Sequence, residues 1–135
     1  MQTRDQKYAA NIFKQVKVID TQWPEKSPDE SKRKQYGSMA HTLPVLIRSA
    51  GLAQALAFVE ARGKQPHKDL LDHLAKVIMG ETSDGTILCY QSRTAGLSEY
   101  RFLTSKAMSA LVWYKRFAQS VLDVDASEAT NEPED

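Results

Sequence analysis

Three histidines, a single cysteine and 18 lysines and arginines hold most of the chemistry this 135-residue chain could perform. His41, His67 and His73 never pair at the i, i+4 spacing that puts two ligands on one helix face. Cys89 stands beside none of them, so no metal set is expected. Asp69 and His73 share a helix face, but two ligands are too few, and an ordinary surface ion pair is the simpler reading. Gly80 to Gly85 fits neither a P-loop nor a dinucleotide fingerprint and no GxSxG is present, so no cofactor is expected. What remains is cationic chemistry. Lys34, His41 and Arg48 recur every seven residues, and a helix drifts only about 20° per heptad, so the three can form one polar row. Lys115 and Arg116 sit beside Trp113 and Tyr114, where aromatic and guanidinium faces could stack on bases, although aromatics at this spacing are more often core or subunit contacts. Lys7, Lys14 and Lys17 fall away from the apolar face of the helix that carries them. Basic residues on outer helix faces usually only solvate them; the heptad row and the Lys115 cluster stand above that background.

One spacing has the look of catalysis. Arg62-Gly-Lys-Gln-Pro-His67 resembles the Arg-x4-His arrangement of the all-α HEPN ribonucleases, in which an arginine and a histidine act on RNA. Gly63 and Pro66 interrupt the pair here, however, and indicate a loop in which acid–base geometry would not be held, so a basic inter-helix loop is the better reading. Loss of metal-independent RNA cleavage on replacing His67 with alanine would revive the enzyme.

The elements that must position these residues are helical. Thr3 followed by Gln6 has the form of a capping box, and Tyr8, Ile12, Phe13 and Val16 repeat with helical period, which predicts a first helix over residues 4–18. Trp23 and Pro24 oppose its continuation. Ser27, Pro28, Asp29 and Glu30 read as a helix start, with a capping hydroxyl, a proline at the first helical position and acids at the positive end of the dipole. The helix that follows carries Lys32, Arg33 and Lys34 and places Leu43, Leu46, Ile47 and Ala50 on one face, then Ala53, Leu56 and Ala57. Pro44 removes an amide donor within it, so a kink or restart is expected near Thr42, while Gly51 is tolerated as a point of close backbone approach and Gly63 stops the helix. A third amphipathic segment runs from Pro66 or His67 to Met79, ended by Gly80, and Thr82 to Thr86 reads as a turn. Residues 87–97 are compatible with a short helix or an extended segment. From Ser98 to Leu122, Leu103, Ala107, Ala110, Leu111, Tyr114, Phe117, Ala118 and Val121 step along one stripe. The predicted class is all-α, a helical bundle of about five to six helices with a kinked long helix at Pro44.

Length and charge set the rest. The chain suits one domain, residues 1–122, which can bury a core without staples, and one cysteine forms no internal disulfide. The first residues, MQTRDQKY, are charged where a signal peptide would be apolar, and no window approaches the length of a membrane span, so a cytoplasmic protein without membrane association is expected. The formal charge of +1 conceals a polarity: of 17 acids, six fall in residues 123–135, leaving 11 against all 18 bases upstream and a body of +7. A basic body fits a polyanionic partner. The acidic segment 123–135 reads as a disordered tail that chiefly aids solubility, with competition for the basic body as a minor alternative.

The stretch YGSMAHTLPVLIRSAGLAQALAFVEARGK from Tyr36 to Lys64, supported by QTRDQKYA at Gln2 to Ala9 and EYRFLTSKAMSALVWYKRFAQSVL at Glu99 to Leu122, resembles the small all-helical subunit of the type III-B CRISPR-Cas effector, the Cmr complex. Residues 80–97 and the acidic tail match it weakly or not at all, and nothing is carried onto them. The resemblance implies a non-catalytic subunit in antiviral defence. Several copies would line up beside the backbone subunits that hold CRISPR RNA, forming a filament along guide and target RNA, while cleavage belongs to another subunit. Its partners would be CRISPR RNA and target RNA, other Cmr subunits and copies of itself. The candidate RNA contacts on this reading are Lys14, Lys17, Lys34, His41, Arg48, Lys115 and Arg116. The alternatives are a stand-alone helical nucleic-acid-binding module, against which no clear recognition helix after a short turn is seen, or the ribonuclease using Arg62 and His67.

Overall fold

Thr3 and Gln6 hold the start of the first helix from both directions: the Gln6 amide donates to Thr3 Oγ1 at 3.0 Å, and the Thr3 amide donates to Gln6 Oε1 at 2.9 Å. In the computed structural model, which describes residues 1–129, this helix, α1, spans Arg4–Gln22. It outruns its expected end at residue 18 because Ile19 and Trp23 continue the buried stripe of Tyr8, Ile12 and Val16.

The expected start at Ser27 is one turn too early. Ser27 Oγ accepts from the Asp29 amide at 3.2 Å and donates to the Pro24 carbonyl at 2.6 Å, and its own carbonyl accepts from the Glu30 amide. Ser27 therefore organises a turn, and α2 begins after it, at Glu30. The helix then runs without interruption to Ala50 with Pro44 inside it, so there is no restart at Thr42. Pro44 is buried between Leu43 and Ile47, and packing on both sides offsets the one amide donor that proline lacks. The break falls instead at Gly51, whose φ of 90° and ψ of 161° belong to a region that glycine enters at little cost. The single long helix expected through this region is thus two, α2 (Glu30–Ala50) and α3 (Leu52–Arg62).

Gly63 ends α3 in the left-handed conformation, as expected of a glycine at that place. α4 (Gln65–Met79) follows after Lys64 and stops at Gly80. The segment compatible with either helix or strand is helical: Asp84 caps α5 (Gly85–Thr94) by accepting from the Ile87 amide at 2.9 Å, which shortens the predicted turn to residues 81–84. α6 (Leu97–Ser120) is the longest helix, and one turn, α7 (Ala126–Ala129), comes last.

The all-α class is as expected, and no strand occurs among the described residues. α2 lies at the centre, packed on α6, α4, α3 and α7, with α1 against α6 and α4 and with α5 against α4 and α3. Tyr36, Leu43, Leu74, Leu111 and Tyr114 are fully buried where these helices meet, each apolar side chain contributing about 1.5–3 kcal/mol. The packed body does not end at Leu122. Val124 is as buried as any core residue, so residues 121–126 form a strap against α2, and only residues 130–135 of the expected tail lie outside the described residues.

Candidate nucleic-acid interface

The heptad row of α2 is not the continuous stripe its spacing predicts. Lys34 and Arg48 are exposed near the two ends of the helix, but His41 between them is 6 % exposed. The strap covers it. Arg33, Gly37 and His41 fall on one face at i, i+4 and i+8, and each receives part of the strap. Arg33, far from joining the exposed basic residues beside it, is 2 % exposed: Nε donates to the Leu122 carbonyl at 3.0 Å, Nη2 to the Val121 carbonyl at 3.2 Å, and Nη1 lies 2.6 Å from Asp20 Oδ1. Gly37 leaves the space that Val124 fills, because a Cβ there would sit 2.7 Å from Val124 Cβ. His41 Nε2 lies 2.9 Å from the Val124 carbonyl, which can only accept, so Nε2 carries the proton. His41 Nδ1 has no hydrogen-bond partner among the described residues.

Two clusters that are separate in sequence meet at this point. His41, Lys115, Arg116, Val112 and Gln119 line one cavity of about 330 Å³, with Ala126 of the strap forming part of its wall. Arg116 also faces the Trp113 ring at 5.9 Å, and Trp113 is stacked on Phe117 at 5.7 Å and donates from Nε1 to Asp5 Oδ1 at 3.0 Å. Tyr114 points the other way, into the core, and is unavailable for stacking on a base.

Pairing divides the seven candidates further. Lys17 is exposed but lies 3.7 Å from Asp20. Lys14, Lys34, Arg48, Lys115 and Arg116 have no carboxylate within ion-pair distance among the described residues. Arg33, Gly37 and Val124 are not marked out as site residues by sequence reasoning; the apolar VLDV inside an acidic run is the signal that something must receive it.

The remaining reactive groups are committed to the core. His67 is fully buried on the first turn of α4 and Arg62 lies over the Phe58 ring at 5.5 Å, so the pair resembling a ribonuclease motif offers His67 no path to a substrate. His73 Nδ1 is 2.7 Å from the Tyr36 hydroxyl, and burial holds the imidazole below its usual range against the opposing pull of Asp69 and Asp72. Burial pushes the Tyr36 hydroxyl well above its ordinary range, with Asp69 adding to the shift. Burial, with Glu60 adding to it, raises the Cys89 thiol to about 11, the opposite of what a nucleophilic thiolate needs. Among the described residues, no three His, Cys, Asp or Glu side chains converge as a metal set.

Against known proteins, a sequence profile described as CRISPR-associated protein, Cas_Cmr5, matches residues 4–121. The chain belongs to the Cmr5 family. It is 41 % identical over 123 residues to the CRISPR system Cmr subunit Cmr5 of Thermus thermophilus, spanning 91 % of this chain and 99 % of that one. The crystal structure of a CRISPR-associated Cmr5 family protein from the same organism superposes with a TM-score of 0.76 at 40 % identity, over 90 % of this chain and 98 % of the other. Cmr5 membership covers every candidate basic residue, whereas Leu122 to Ala126 of the strap lie beyond the matched span.

Proposed function

We propose that this chain is a non-catalytic structural subunit of a Cmr, type III-B, CRISPR effector complex. It contacts the phosphates of guide or target RNA from the outer faces of α1, α2 and α6. The observation that carries the reading is the set of cations with no carboxylate within ion-pair distance among the described residues, exposed Lys14, Lys34, Arg48 and Arg116 and half-buried Lys115, on a Cmr5-family bundle in which His41, His67 and Cys89 are buried. Such contacts are indifferent to sequence, as suits a subunit that must accept any guide while base pairing reads the target. Three to five phosphates neutralised per copy give single-strand binding a log–log salt slope of about −0.7 for each. One copy alone binds weakly, and copies arrayed beside the backbone subunits gain by effective concentration. The working compartment on this reading is the cytoplasm.

Affinity purification of the tagged chain from its native cell tests the proposal. Recovery of CRISPR RNA together with repeated backbone subunits supports it, and recovery of the chain free of both overturns it.

A further inference from the structure

We propose that the cavity between α2, α6 and the strap is a seat for one backbone phosphodiester of single-stranded RNA, and that the strap builds it as much as the basic residues do. The inference rests on the RNA-contact reading above and assigns it a place.

Three features converge there. Lys115 and Arg116 bring two positive charges with no carboxylate counterion among the described residues, and Gln119, one turn on from Lys115, adds an amide donor. His41 lies against them almost wholly buried, with Nε2 donating to the strap and Nδ1 an acceptor without a partner among the described residues, a lone pair that a ribose 2′-hydroxyl, and not a phosphate oxygen, can satisfy. The volume of about 330 Å³ exceeds what a phosphate needs and admits part of its ribose. Arg116 is steadied by the Trp113 ring, so little ordering of the guanidinium remains to be done when an anion arrives.

The cavity wall is conditional. Ala126 lines it only because Val124 fills the space above Gly37 and Arg33 holds the carbonyls of Val121 and Leu122. Gly37 and Val124 are uncharged, so disturbing them separates a built seat from a diffuse basic surface. Asp123 and Asp125 of the strap are exposed and absent from the lining.

The test uses the full chain, isotope-labelled, titrated with millimolar oligouridylate at low salt. Saturable shifts of the His41 ring and the Gln119 amide are expected. The Lys115→Gln/Arg116→Gln variant should weaken binding about tenfold, against little change for the charge-matched Lys68→Gln/Arg101→Gln. Gly37→Ala should weaken it comparably while removing no charge. Because that variant stresses the fold, Val124→Ala, which only trims the strap, is measured beside it and should show a smaller loss of the same sign. Shifts confined to Lys14, Lys34 and Arg48, or a Lys115→Gln/Arg116→Gln variant no weaker than its control, overturn the seat and leave the RNA reading standing. No shift anywhere at millimolar RNA overturns both.

Discussion

Asp20 and Arg33 meet across the junction of α1 and α2, with the carboxylate Oδ1 2.6 Å from Nη1 of a guanidinium that is itself buried. The partners are not equal: the Asp20 side chain is about a third exposed, whereas Arg33 has almost no access to water and also serves the carbonyls of Val121, Leu122 and Trp23. Removing the cation strands those carbonyls; removing the anion leaves Arg33 three carbonyls and a distant Glu25 at 3.7 Å. Urea unfolding should therefore show Arg33→Ala destabilised by about 3–5 kcal/mol. Asp20→Asn should lose only about 1 kcal/mol, because solvent already screens that side. Equal losses would contradict the asymmetry.

Gly51 predicts a backbone effect. Alanine at a φ of 90° is strained, and its Cβ would come to 3.3 Å from the Tyr100 hydroxyl, which accepts from the Ala53 amide. Gly51→Ala should cost about 1–3 kcal/mol and lower the thermal midpoint, whereas Gly96→Ala, where a Cβ meets open space, should change it little.

The Tyr36–His73 pair gives a pH dependence with a definite sign. An unfolded His73 takes up a proton near pH 6.5, while the folded ring, its pKa lowered by burial, resists it. This contribution to stability is complete above about pH 6.5 and is lost as pH falls from there toward the lower folded pKa. Denaturation midpoints at pH 7.5 and pH 5 should differ more for the parent than for His73→Gln; parallel curves would sink the assignment.

Cys89, buried and with its thiol raised to about 11, should resist iodoacetamide at pH 8 in the native protein and react promptly in guanidinium. Prompt native labelling would show that α5 opens locally at low cost.

For the RNA contacts, Lys34→Glu/Arg48→Glu in the assembled complex should shrink the log–log salt slope by about 1.4, two contacts' worth. Lys17→Glu, whose charge is already shared with Asp20, should have the smaller effect. An unchanged slope in the double variant removes those two residues from the interface.

Much of this is legible in the sequence. The Thr3–Gln6 capping box, the stops at Gly63 and Gly80 and the α6 stripe follow from local chemistry, and local chemistry is what a sequence displays directly. Gly51 is harder to place, because a glycine's φ is decided by the packing around it, here the turn from α2 into α3. Pro44 breaks nothing, because burial between neighbours tolerates one missing hydrogen bond. The strap is unreadable for another reason. Acidic composition argues for disorder, yet Val121, Leu122 and Val124 are apolar, and what receives them is an arginine and a glycine far away in sequence. His41 looks like one member of an exposed row because heptad spacing says which residues share a face and nothing of what lies upon it.

The bond from Arg33 to Leu122 spans 89 residues. Closing a loop of that length costs chain entropy, and the packing of α6 on α2, which carries the strap to its seat, offsets that cost. Without the strap the guanidinium of Arg33 would meet water, and the groove along Arg33, Gly37 and His41 would stand open. The strap thus lies over α2 like a cord drawn tight, and whatever loosens the cord bares the middle of that helix.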